Sequence, residues 1–104
     1  MEGVKDMERI RDYETTFILN PDMDEEDRDS LMERINGIIT DNGGEISDTD
    51  VWGMRKLAYE INDYTNGFYT VISFSGNADL VNELERNFKL ISDVLRYLII
   101  RVED

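Results

Sequence analysis

Trp52, Arg55 and Lys56 stand close together in a segment, Val51-Trp52-Gly53-Met54-Arg55-Lys56-Leu57-Ala58-Tyr59-Glu60-Ile61, that is otherwise mostly aliphatic and aromatic. Two adjacent cations beside a flat indole suit the binding of an anion. A guanidinium forks onto a phosphate or carboxylate, and an ammonium adds a compact point charge. The segment has the composition of a β-strand, in which neighbouring side chains point to opposite faces. Arg55 and Lys56 therefore divide between the two sides, and one of them at most meets a given partner.

The rest of the chain is short of positive charge. It carries 24 acidic and 11 basic side chains, a net charge of −13, over 104 residues. Such a chain repels phosphate at long range, but net charge does not describe a single face. Seven acids, Asp22, Asp24, Glu25, Glu26, Asp27, Asp29 and Glu33, share one segment with Arg28 and Arg34, whereas Arg11, Arg55, Lys56, Arg86, Lys89, Arg96 and Arg101 lie elsewhere. The charge is expected to be segregated, with an acidic helix on one side and a less acidic sheet on the other. The acidic run reads as a solvated helix start, since no glycine-punctuated loop of the calcium-binding kind accompanies it.

Catalytic chemistry has little to work with. There is no cysteine, hence no disulfide, thiolate nucleophile or thiolate metal site, and no histidine, the commonest metal ligand and acid–base group. No cofactor and no metal site are expected. No apolar run approaches the roughly 20 residues of a membrane helix. The charged opening, Met1 to Asp12, does not read as a secretory signal.

The elements that must position the cations follow from periodicity. Tyr13, Thr15, Phe17 and Leu19 alternate with Glu14, Thr16 and Ile18 as a strand. After Asn20-Pro21 a helix is expected, with Asp22 and Glu25 at capping-box spacing and a stripe of Leu31, Ile35, Ile38 and Ile39. Asn42-Gly43-Gly44 stops it. A second strand runs from about Glu45 to Ile61, with Gly53 marking a bulge. Asn66-Gly67 predicts the hairpin turn to a third strand in which Phe68, Thr70, Ile72 and Phe74 alternate with Tyr69, Val71 and Ser73. Asn77 caps a second helix with Leu80 or Val81, Leu84 and Phe88 on its apolar face, and Val94 to Val102 forms the last strand.

The order β-α-β-β-α-β is the split βαβ arrangement of an α+β domain: a four-stranded antiparallel sheet with two helices on one face. If Thr15, Phe17, Ile72, Phe74, Tyr97 and Ile99 point at the helices, then Thr16, Ile18, Tyr69, Val71, Ser73, Arg96, Leu98 and Ile100 point away. Ile18, Val71, Leu98 and Ile100 then form an uncovered apolar patch rimmed by Tyr69 and Arg96, the usual mark of a partner site.

Arg11-Asp12-Tyr13-Glu14 followed by Ile18-Leu19-Asn20-Pro21, the strand Trp52 to Ile61, and Leu84-Glu85-Arg86-Asn87-Phe88 through Val94-Leu95-Arg96-Tyr97 resemble, in order and spacing, the bacterial small-subunit ribosomal protein six family. The resemblance covers about residue 11 to the C-terminus. It implies a single ferredoxin-like domain over 11–104 preceded by an extension, 1–10, expected to be mobile. It implies a structural, cytoplasmic protein of the small ribosomal subunit. Its implied partners are the central domain of small-subunit ribosomal RNA and small-subunit ribosomal protein eighteen, with no small-molecule substrate. Arg11, Tyr13, Arg55, Lys56, Arg96 and Arg101, cations and a phenol on strands away from the acidic helix, become the expected RNA contacts. Ile18, Tyr69, Val71, Leu98 and Ile100 become the expected seat of the protein partner. The chain departs from the family pattern at Asp12, where a basic residue is usual, and at Glu60, where proline is frequent.

Two other readings fit the same fold. A small phosphatase-like enzyme needs a backbone cradle with an arginine after the first strand, but Asn20-Pro21-Asp22-Met23-Asp24 is anionic and lacks glycine and arginine. A ligand-sensing or self-associating module could use the open sheet face against a second copy; a stable symmetric dimer of the isolated chain is its signature.

Overall fold

The computed structural model describes residues 9–102, so most of the expected N-terminal extension lies outside the described residues. Six elements follow in order: β1 (Arg11–Leu19), α1 (Glu25–Asp41), β2 (Glu45–Ile61), β3 (Tyr64–Gly76), α2 (Ala78–Leu90) and β4 (Val94–Arg101). The strands form one antiparallel sheet in the order β2-β3-β1-β4, so the first strand sits between two that come later in the chain.

Both helices lie on the same face of the sheet. Leu31, Ile35 and Ile39 of α1 and Leu80, Leu84 and Phe88 of α2 pack with Phe17, Leu19, Ile72 and Phe74 in one buried cluster. Burying each such side chain contributes about 1.5–3 kcal/mol. Aromatic pairs tie the layers together: Phe17 and Phe88 have ring centroids 5.4 Å apart, and Phe88 and Tyr97 lie 5.0 Å apart. Two polar side chains are buried with partners. The Thr15 hydroxyl donates to the Leu98 carbonyl at 3.0 Å, and the Thr70 hydroxyl contacts the Met32 sulfur at 3.8 Å. The core-facing parity expected for Thr15, Phe17, Ile72 and Phe74 is thus observed.

The ends of α1 differ in detail from expectation. Asp24, not Asp22, is the N-cap, and its carboxylate accepts from the Asp27 backbone N–H at 2.8 Å. The Asp22 N–H instead donates to the Asn20 side chain at 2.8 Å, so Asn20-Pro21-Asp22 is consumed by its own turn and the helix begins later.

The β2–β3 hairpin departs more. Its turn is at Asn62-Asp63, with φ of 51° and 70°, not at Asn66-Gly67. Positive φ at both central positions is the geometry whose twist suits a two-residue hairpin, and asparagine and aspartate tolerate it best after glycine. Gly53, at φ 84°, makes the expected bulge. Gly67 lies inside β3, where its role is close approach: a Cβ there would collide with the Ile18 side-chain methyl and press on Leu57. Gly67→Ala is therefore expected to cost about 1–3 kcal/mol. Equilibrium urea unfolding checks it; a variant as stable as the parent would mean that the hairpin yields freely. With this turn the hairpin is an arm longer than β1 and β4, on a molecule of 52 × 26 × 23 Å.

Candidate partner and nucleic-acid interface

The open face is a grid whose rows are set by the strand register. One row runs from Gly53 through Tyr69 and Ile18 to Arg96; the next joins Asp50, Val71, Thr16 and Leu98; the third joins Asp48, Ser73, Glu14 and Ile100. Leu98 is 58% exposed and Ile100 44%, while Tyr69 and Val71 are half-buried. A shallow groove of about 400 Å³, lined by Thr16, Ile18, Arg96, Tyr97 and Leu98, crosses the β1–β4 side.

One expected member of this patch is not exposed. Ile18 is 7% exposed, and so is Leu57. The two side chains meet at Gly67, where the far half of the hairpin bends over the open face. Pairing of β2 with β3 is interrupted between Lys56 and Ile61, which frees Leu57 to turn inward. Ile18 therefore forms the floor of the site beneath the arm, and Leu98 and Ile100 are its accessible apolar side chains.

The expected RNA-contacting residues fall into separate groups. Arg96 and Arg55 belong to the open face. Arg96 Nη1 donates to the Tyr59 hydroxyl at 3.0 Å, with its guanidinium 5.4 Å from that ring's centroid. The Arg55 guanidinium lies 5.9 Å from the Trp52 ring, which itself stacks on Tyr69 at 6.1 Å and donates from Nε1 to Asp50 at 2.9 Å. Lys56 alternates to the other side of β2. Arg11, Tyr13 and Arg101 lie at the opposite end of the sheet, on the helix side. Tyr13 is half-buried and stacked on Phe74 at 5.6 Å, with Arg101 directly across from it on β4. The six residues do not make one surface.

Other cations are engaged locally. Arg86 binds Glu83 at 2.7 Å and holds its carboxyl below the usual range, chiefly through that hydrogen bond; Lys89 lies 3.9 Å from Glu85. Arg28 of α1 sits 4.1 Å above the Phe68 ring. Burial, then the hydrogen bond from its hydroxyl to Glu85 at 3.2 Å, pushes the Tyr97 phenol above its ordinary value. A depression of about 480 Å³ beside the β1–α1 turn is lined by Asp22, Asp27 and Asp93 with Arg34, a poor cradle for phosphate. Among the described residues no group of three or more acids is arranged to hold a metal, and no helix is long and apolar enough to cross a membrane.

The parity of β2 beyond the bulge places Arg55, Leu57 and Tyr59 together on the open face. The alternation carries that signal, but a turn placed at Asn66-Gly67 hides how far β2 and β3 pair. From the sequence, Tyr59 reads more readily as a packing residue than as a base-stacking one, and neither Leu57 nor Tyr59 is among the expected contacts.

A family model described as ribosomal protein S6 matches residues 12–101. The chain belongs to the ribosomal protein S6 family. The small ribosomal subunit protein bS6 of Caldanaerobacter subterraneus subsp. tengcongensis is 46% identical over 95 residues, covering 91% of this chain and 100% of that protein. Its counterpart in Thermoanaerobacter pseudethanolicus is 47% identical over the same length and the same shares. The crystal structure of 30S ribosomal protein S6 from Thermotoga maritima superposes with a TM-score of 0.86 at 37% identity, covering 90% of this chain and 89% of that one. This S6-family chain is thus a ribosomal protein, not an enzyme, and its ferredoxin-like fold is that of its relatives.

Proposed function

We propose that this chain is a structural constituent of the small ribosomal subunit in the cytoplasm. It contacts the central domain of small-subunit ribosomal RNA together with small-subunit ribosomal protein eighteen, which seats on the open sheet face. The observation that carries this reading is the exposed apolar pair Leu98 and Ile100 beside Arg96, on a face the chain's own helices leave bare. An exposed apolar patch rimmed by polar groups fits a protein partner. The net charge of −13 supports a basic partner that neutralises phosphate where this chain does not.

The RNA contacts in this reading are Arg96 with Arg55 on the open face and Arg11, Tyr13 and Arg101 at the far end, with Lys56 set apart. Tyr69, Val71 and the floor residue Ile18 complete the protein seat. RNA binding is expected to be weak for the chain alone and strong with the basic partner present. In that complex Arg96→Ala and Arg11→Ala should each lower affinity and reduce the slope of log affinity against log salt by roughly 0.7–0.9, and Asp29→Ala on the acidic helix should do neither. Filter binding across a salt series measures both quantities. If the two arginine variants assemble on RNA like the parent, the protein partner alone holds the chain in place.

A further inference from the structure

We infer that Tyr59 is a positioning residue for Arg96: it fixes the guanidinium without neutralising it, so that an acidic protein presents one full positive charge to a phosphodiester. This deepens the RNA reading above and rests on it.

The argument starts from the choice of acceptor. Carboxylates outnumber basic side chains by more than two to one in this chain, and they are what Arg86 and Lys89 bind. Among the described residues, no carboxylate lies within ion-pair distance of Arg96. Its partner is a neutral phenol, which accepts from Nη1 at 3.0 Å while its ring lies 5.4 Å from the guanidinium carbon. A phenol fixes direction through its oxygen and attracts the cation through its π-face, yet leaves the net charge intact. The guanidinium has five N–H donors, and this contact takes one of them, leaving the others for a phosphate oxygen pair.

Tyr59 can do this because of the arm. It is 61% exposed, far along β2, and would stand clear of β4 on a straight hairpin. The bend that buries Leu57 over Ile18 carries the strand back across the open face, and Gly67 permits the close approach. Arg96 lies across from Ile18 on β4, so the bend that covers Ile18 also delivers Tyr59 to Arg96. An arginine held in advance loses less side-chain entropy when its ligand arrives.

The test uses the full chain with its basic partner and central-domain ribosomal RNA, read as affinity across a salt series. Tyr59→Phe, which keeps the ring and loses the acceptor, should weaken RNA binding about three- to tenfold with the salt slope unchanged. Tyr59→Glu, which puts a carboxylate on the same guanidinium, should weaken binding more and lower the slope by roughly 0.7–0.9, as Arg96→Ala does. In the Arg96→Ala background, Tyr59→Phe should have no further effect. Affinity for the protein partner, measured without RNA, should be the same for Tyr59→Phe as for the parent.

The inference is overturned if Tyr59→Phe acts equally in both backgrounds, if it is silent while Arg96→Ala is not, or if its effect falls on partner affinity. If Arg96→Ala itself leaves RNA affinity unchanged, the RNA assignment of Arg96 fails first and this inference with it.

Discussion

Leu98→Glu is expected to lower affinity for the basic ribosomal partner by roughly thirtyfold to a thousandfold, the loss of about 2–4 kcal/mol typical of a central apolar anchor. Leu98 is the most exposed apolar side chain of the groove, and its open-face neighbours across the sheet are Thr16 and Val71. A carboxylate there would be desolvated by any partner that covers the patch. Folding should change by less than about 1 kcal/mol, because the side chain is exposed in the free chain and only its strand propensity alters. Titration calorimetry with the partner and thermal unfolding of the chain alone separate the two effects. Unchanged partner affinity would remove the open face from the proposal altogether.

Phe17→Ala acts on the opposite face of the sheet, on the neighbouring strand β1, and should be far more damaging to the fold. Phe17 is fully buried and packs against Phe88 with ring centroids 5.4 Å apart. Its truncation is expected to cost about 3–5 kcal/mol, combining lost burial with a cavity the rigid sheet cannot close. Against a total of about 5–15 kcal/mol for an ordinary domain, that removes much of the margin. Urea unfolding should show a lower midpoint with the same slope. A loss under about 1 kcal/mol would mean that α2 collapses into the vacated space.

Much of this architecture could be read from alternation alone. The period-two runs at Tyr13–Leu19 and Phe68–Phe74 and the helical stripes at Leu31–Ile39 and Leu80–Phe88 define both faces of the sheet and the layer covering one of them, as observed. Leu98 and Ile100 were legible as accessible for the same reason. The misplaced turn has a specific cause. Asn-Gly is the strongest short hairpin signal, but here the glycine serves close packing against Ile18, and the turn falls to Asn62-Asp63, a pair with less intrinsic bias. Burial of Ile18 was hidden with it, because strand parity assigns a face and does not reveal that a distant part of the hairpin bends over that face. The scatter of Arg11, Tyr13 and Arg101 away from Arg55 and Arg96 was visible in principle from parity along β4, where positions 96 and 101 point to opposite sides.

The place of β1 in the sheet bears on when this protein becomes itself. The first strand to leave the ribosome making it is an interior one, flanked by β3 and by β4, and its β4 partners come from the other end of the chain, with Tyr13 opposite Arg101. Until β4 has emerged, β1 has one unpaired edge, and Thr16 and Ile18 lack the wall of the groove that Arg96 and Leu98 provide. Pairings of such long sequence separation form slowly. If the open face is the docking surface proposed above, a nascent chain has no finished face to offer until β4 has paired with β1.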